Sequence, residues 1–175
     1  MGAQSEELQA QQLISEADVL LESSAAAPQP FEQREDVDQG TARGNRKQAE
    51  AKLRSALTLR PNSAAAHRSL ATLQYQNRKY DDSLLEIKRV VALDRPSADS
   101  YAFAGLLYSA KQEFGAALTA YDQALAMDAR NVEALNGEGA IYLLHGKYGE
   151  AQKSFERAAK LTPKTVYLSS ISVSS

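Results

Sequence analysis

An all-α fold of tandem helix–turn–helix units is predicted by three observations. Apolar residues recur at helical offsets, the offsets return every 34 residues, and small residues hold fixed places between them. Ala49, Ser83, Ala117 and Ala151 form a column of small residues at that step. Leu53, Ile87, Tyr121 and Phe155 follow four positions on; Ala56, Val90, Ala124 and Ala158 three further; Leu59, Leu93, Met127 and Leu161 three beyond that. Offsets of four, three and three draw one stripe on an α-helix, so each step carries an amphipathic helix B.

A second helix, A, precedes each of the later ones. His67, Tyr101 and Leu135 share a column, as do Ala71, Gly105 and Gly139, and Gln74, Tyr108 and Tyr142. The small residue at mid-length lets a neighbouring helix approach closely, so Gly105 and Gly139 are predicted at tight helix contacts. Tyr80, Phe114 and Tyr148, each three residues before the small column of helix B, are predicted to plug the open end of the hairpin.

These residues resemble the tetratricopeptide repeat family, whose pattern runs aromatic, Leu-Gly, Tyr, then Ala-x3-Phe and a closing Pro. The third repeat matches at Tyr101, Gly105, Tyr108, Ala117 and Tyr121, with Ala104 and Ala129 departing from Leu and Pro. The fourth matches at Gly139, Tyr142, Ala151, Phe155 and Pro163, with Leu135 and Glu138 departing. The second is weaker: Leu70, Ala71 and Tyr80 fit, whereas Gln74, Ser83 and Arg95 do not. The resemblance implies a right-handed superhelix with the A helices lining its concave face.

The predicted domain is a single array over residues 1–163. Repeats two, three and four span 64–95, 98–129 and 132–163. The first is split: its helix B runs from 46 to 60, but Pro28, Pro30, Gly40, Gly44 and clustered charges upstream read as a loop insertion over 25–44. Leu13, Ile14, Ala17, Leu20 and Leu21 place the displaced helix A at 5–23, with Ala17 equivalent to Ala71. The insertion is a surface segment, or a docking one anchored by Phe31 and Val37. Beyond Pro163, residues 164–175 are serine-rich and carry no helical period, so a non-helical tail follows an uncapped last repeat.

Composition narrows the functions. Twenty basic residues against 22 acidic ones leave a net charge of −2, which gives nucleic acid no electrostatic footing. No cysteine is present, so thiolate metal sites and a cysteine nucleophile are excluded. No apolar run reaches the roughly 18 residues that span a bilayer, so direct membrane insertion is not expected. The chain reads as soluble, cytoplasmic by default, with its compartment open.

No catalytic, metal or cofactor site emerges, and the chain is not expected to be an enzyme. His67 and His145 lie more than two repeats apart; packing accounts for the first, and the second stands by the Gly146-Lys147 turn in solvent. Gly137-Glu138-Gly139 lies within a helix and lacks the strand that precedes a phosphate-binding loop. Glu138 stands where the family places a core leucine, and is expected to turn outward or pair with a basic neighbour.

The family's groove positions here include Arg68, Thr72 and Tyr75 in the second repeat, Ala102 and Leu106 in the third, and Asn136, Ala140 and Leu143 in the fourth. One subclass grips a terminal carboxylate with Lys, Asn and Arg side chains; the corresponding positions here are largely Ala, Phe, Asp and Gly. The apolar run Ala102, Leu106, Ala140 and Leu143 instead suits an amphipathic helix or an extended segment with alternating apolar residues. The expected function is a scaffold or adaptor that holds a protein or peptide partner in the concave groove. The alternative is a homo-oligomer that assembles through its uncapped end.

Overall fold

In a computed structural model of the chain, residues 2–24, 39–94 and 96–161 are described, and all regular structure among them is α-helical. Eight helices follow one another as α1 (Gly2–Ser24), α2 (Gln39–Leu59), α3 (Ala64–Gln76), α4 (Tyr80–Leu93), α5 (Ala98–Ala110), α6 (Phe114–Met127), α7 (Val132–Leu144) and α8 (Tyr148–Leu161). They pair as antiparallel hairpins, α1 with α2, α3 with α4, α5 with α6 and α7 with α8, and each hairpin packs on the next. Odd-numbered helices are the A helices and even-numbered ones the B helices.

The 34-residue step recurs in the caps. Ser63, Ser97 and Asn131 stand one step apart, and each side chain accepts a hydrogen bond from a backbone N–H of the first turn of α3, α5 or α7. At the other end of the A helices, Arg78, Gln112 and Gly146 adopt left-handed backbone at φ 59°, 63° and 71°. The following residues close the helix: Lys79 N–H donates to Gln74 O at 2.8 Å, Glu113 to Tyr108 O at 2.9 Å, and Lys147 to Tyr142 O at 2.9 Å. Only the last repeat supplies the glycine that this backbone favours.

Side-chain size sets the spacing within the hairpins. Leu53, Ile87 and Tyr121 are 0, 3 and 2% exposed. The Tyr121 ring fills a notch left by two absent side chains: a Cβ on Gly105 would lie 2.5 Å from the ring, and one on Gly137 would overlap it as well. A Cβ on Gly139 would meet the Phe155 ring at 2.9 Å. The close contacts expected at Gly105 and Gly139 are therefore present, with Gly137 as a third.

The first hairpin keeps the register of the others despite its long connection. Lys52 of α2 pairs with Glu16 of α1 at 2.6 Å, and two residues of the same columns meet in the last hairpin, where Ser154 Oγ donates to Glu138 at 2.7 Å. Ala17 thus corresponds to Ala71, Gly105 and Gly139, and it is fully buried among Ala10, Ile14, Leu21, Ala49 and Leu53.

Three expectations need correction. The expected 25–44 loop is too long, since α2 begins at Gln39 and residues 39–44 are helical. Glycines at 40 and 44 each cost a helix about 1 kcal/mol, which packing of α2 along the long α1 outweighs. Residues 25–38, Phe31 and Val37 included, lie outside the described residues, as do 162–175. Tyr148 does not plug its hairpin: it is 70% exposed, whereas Tyr80 and Phe114 are half-buried, because a following hairpin covers them. Glu138 finds no cation among its hydrogen-bond partners; it accepts from two hydroxyls, Ser154 and Tyr142.

Two substitutions test this packing by chemical denaturation. Gly105→Ala forces the buried Tyr121 ring aside and is expected to cost about 1–3 kcal/mol. Gln112→Gly relieves left-handed backbone and is expected to stabilise the fold by about 0.5–1 kcal/mol.

Candidate functional site: the A-helix face

Two pairs of A helices approach closely. α1 packs along α3 and α5 along α7, whereas neither α3 and α5 nor any two B helices share a contact of that extent. Such an array curves with its A helices on the inside. The α5–α7 joint carries a polar tie at one end. The Asn131 amide, besides capping α7, donates to Asp99 at 2.9 Å. Toward the other end, the Tyr121 hydroxyl comes within 3.5 Å of Ser109 Oγ, after its ring has passed between Gly105 and Gly137.

The eight residues expected to line the groove separate into three groups. Arg68, Leu106, Asn136 and Ala140 are exposed, with Leu106 at 37%. Thr72 is half-buried and its hydroxyl donates to the Arg68 carbonyl at 3.2 Å. The other three serve packing or a different surface. Ala102 is 1% exposed, in a cluster with Ala117, Tyr121, Ala124, Ala134 and Ile141, so it cannot line an open groove. Tyr75 is half-buried and spans the joint between the second and third hairpins, its ring edge-on to Phe103 at 5.8 Å and tilted to Tyr80 at 6.0 Å. Leu143 is 51% exposed, but it faces a cleft of about 480 Å³ at the end of the array with Tyr148, Ala151 and Phe155. The expected apolar stripe therefore contracts to Leu106 and Ala140.

Buried chemistry elsewhere is structural. His67 is 6% exposed; its Nδ1 lies 2.6 Å from a Glu86 carboxylate oxygen and its Nε2 lies 3.0 Å from the Pro61 carbonyl. The other Glu86 oxygen accepts from Arg89 at 2.8 Å, so the carboxylate ties α4 to α3 while the His67 ring ties α3 to the preceding turn. His145 is exposed; its Nδ1 lies 2.8 Å from the Ile141 carbonyl, and its ring meets Phe114 edge-on at 5.2 Å. The buried histidine–glutamate pair leaves no periodic signal in the sequence, because residues 67 and 86 belong to different columns and their meeting depends on the hairpin crossing.

Two phenols are electrostatically distinct. Burial pushes the Tyr121 phenol above its usual 10.0, against a weaker opposing effect of the Ser109 hydrogen bond. The Tyr142 phenol is also raised, by desolvation and then by the neighbouring Glu138 carboxylate.

The profile of the tetratricopeptide repeat family matches residues 42–98 and 104–164, more than half of the chain, so the chain belongs to that family of helical repeat proteins. Solved structures share the fold. MamA is 22% identical with a TM-score of 0.60, over 83% of this chain and 77% of its own. PilF of Pseudomonas aeruginosa is 20% identical with a TM-score of 0.70, over 90% of this chain and 63% of its own. YrrB, a repeat protein of the same family with an unusual peptide-binding site, is 18% identical with a TM-score of 0.54, over 70% of this chain and 63% of its own. No curated protein matches the sequence. Among the described residues, no helix is long and apolar enough to cross a membrane.

The raised Tyr121 value has a pH consequence. The folded state holds the phenol proton more tightly than the unfolded chain, so its contribution is fully present below pH 10.0 and lost as pH rises through the folded value. Tyr121→Phe, which has nothing to ionise, is expected to unfold at higher alkaline pH than the parent chain, as followed by far-ultraviolet circular dichroism.

Proposed function

We propose that the chain is a protein-interaction scaffold that holds a partner polypeptide against the A-helix face, with Leu106 and Ala140 as the apolar centre and Arg68, Thr72 and Asn136 at its margin. The supporting observation is the exposure of Leu106 and Ala140 on two A helices, α5 and α7, that pack side by side. A leucine 37% exposed between helices locked by Asn131–Asp99 and Tyr121 offers a firm apolar anchor point.

The chemistry of the partner follows from the size of this patch. Leu106 and Ala140 accommodate one or two apolar side chains, and the polar margin suits main-chain amides. That combination fits an extended or helical segment presenting a few spaced apolar anchors. Membership in a family of scaffolds that bind protein or peptide partners supports the reading, as does the peptide-binding site of YrrB. On this reading the chain performs no catalysis. Its one buried histidine is occupied by Glu86 and the Pro61 carbonyl.

The test is peptide-display selection on the immobilised full-length chain, followed by affinity measurement on the selected sequences. Selected peptides are expected to carry spaced apolar anchors and to bind Leu106→Arg about tenfold or more weakly, the loss of one apolar anchor. Peptides that bind the parent and Leu106→Arg equally would overturn the assignment to this face.

A further inference from the structure

The two ends of the array carry the unmatched halves of one joint. Inside the array, each joint between hairpins is made from the same columns. One A-helix column, Leu73, Leu107 and Ile141, enters the preceding hairpin: these residues are 0, 0 and 2% exposed, and Leu107 lies among Ala71, Leu84 and Ile87. The receiving side is the B-helix column Leu53, Ile87 and Tyr121, against which the next A helix lies, as Gly137 of α7 lies against Tyr121.

At the first hairpin the entering column meets no hairpin among the described residues. With Ala17 equivalent to Ala71, Val19 takes the place of Leu73, and it is 63% exposed; Leu8, on the same side of α1 three turns earlier, is 68% exposed. At the last hairpin the receiving column is unfilled. Phe155 is 36% exposed and Tyr148 70%, and together with Leu143 and Ala159 they border the cleft of about 480 Å³. Nothing among the described residues covers either face.

We propose that these faces meet between molecules: α1 of a second copy of the chain seats on the α7–α8 end, so that Val19 takes the part there that Leu73, Leu107 and Ile141 take within one chain. The occupant follows from continuity, since the two faces are the two sides of a joint this chain already forms three times, where α2 meets α3, α4 meets α5 and α6 meets α7. The contact joins unlike faces, so it does not close on itself and leaves a free end on each side for a further copy. It uses neither Leu106 nor Ala140 and is independent of the peptide-binding reading.

The experiment is sedimentation of the full 175-residue chain, which probes both faces at once. The parent is expected to gain mass with concentration. Val19→Asp and Tyr148→Asp are each expected to be monomeric, because each destroys one half of the joint. Mixed in equal amounts, they are expected to form a one-to-one dimer and nothing larger, since each still offers the half the other has lost. Circular dichroism verifies folding, and Leu8→Asp and Ala159→Asp serve as second variants of the two faces. A parent chain that is monomeric at every concentration overturns the proposal. So does association retained by Val19→Asp alone, which would mean that two α8 ends pair, or a mixture that stays monomeric.

Discussion

The structure depends on a size mismatch that is repeated in register: a large side chain on helix B needs a missing one on helix A. Tyr121 is the fullest case. Its ring occupies space that a methyl group on either Gly105 or Gly137 would claim, and its hydroxyl emerges near Ser109 on the A-helix side. That single side chain therefore sets the spacing of α5 to α6, the spacing of α6 to α7, and the approach of α5 to α7 that builds the A-helix face. The other hairpins use milder versions, with Leu53 and Ile87 buried in the same column and Phe155 against Gly139. Because interiors are packed as tightly as organic crystals, one added methyl group shifts helices rather than filling slack.

The capping scheme carries the same period by different chemistry. Three A helices start on a side-chain oxygen and end on a left-handed residue, so start and stop are fixed independently of the core. This explains why the second repeat can hold its place with a buried serine at position 83, whose hydroxyl donates to the Ala71 carbonyl at 2.7 Å, and with His67 bound to Glu86. Polar groups replace part of the apolar packing there; Ser83, His67 and Glu86 each have a partner, whereas the buried Gln74 side-chain oxygen has none. A repeat that departs from the family's residue pattern is still held to the family's geometry by its turns.

Much of the architecture was legible in the sequence, because the columns built around Leu53 and Ala71 repeat with the same sizes. The parts that were not legible have identifiable causes. Gly137 shares a column with Ser69 and Phe103, so its notch follows no periodic pattern and depends on the size of Tyr121. Arg78 and Gln112 conceal a left-handed turn that only Gly146 advertises. Gly40 and Gly44 read as breakers, although the α1–α2 hairpin extends past them. The groove list mixed two kinds of position: Arg68, Leu106, Asn136 and Ala140 face outward, whereas Ala102 and Tyr75 pack and Leu143 belongs to the end of the array. Offsets along one helix locate a residue on a face, but which neighbour covers that face depends on where the adjoining hairpin sits.

The ring-in-notch relation between Tyr121 and Gly105 is the claim on which the helix spacing and the A-helix face both rest. A double-mutant cycle of Gly105→Ala with Tyr121→Leu, read by urea denaturation, isolates it. If the ring fills the notch, the cost of the alanine is largely removed once the ring is shortened, with a coupling energy of about 1–3 kcal/mol. Additive effects of the two substitutions would contradict the account.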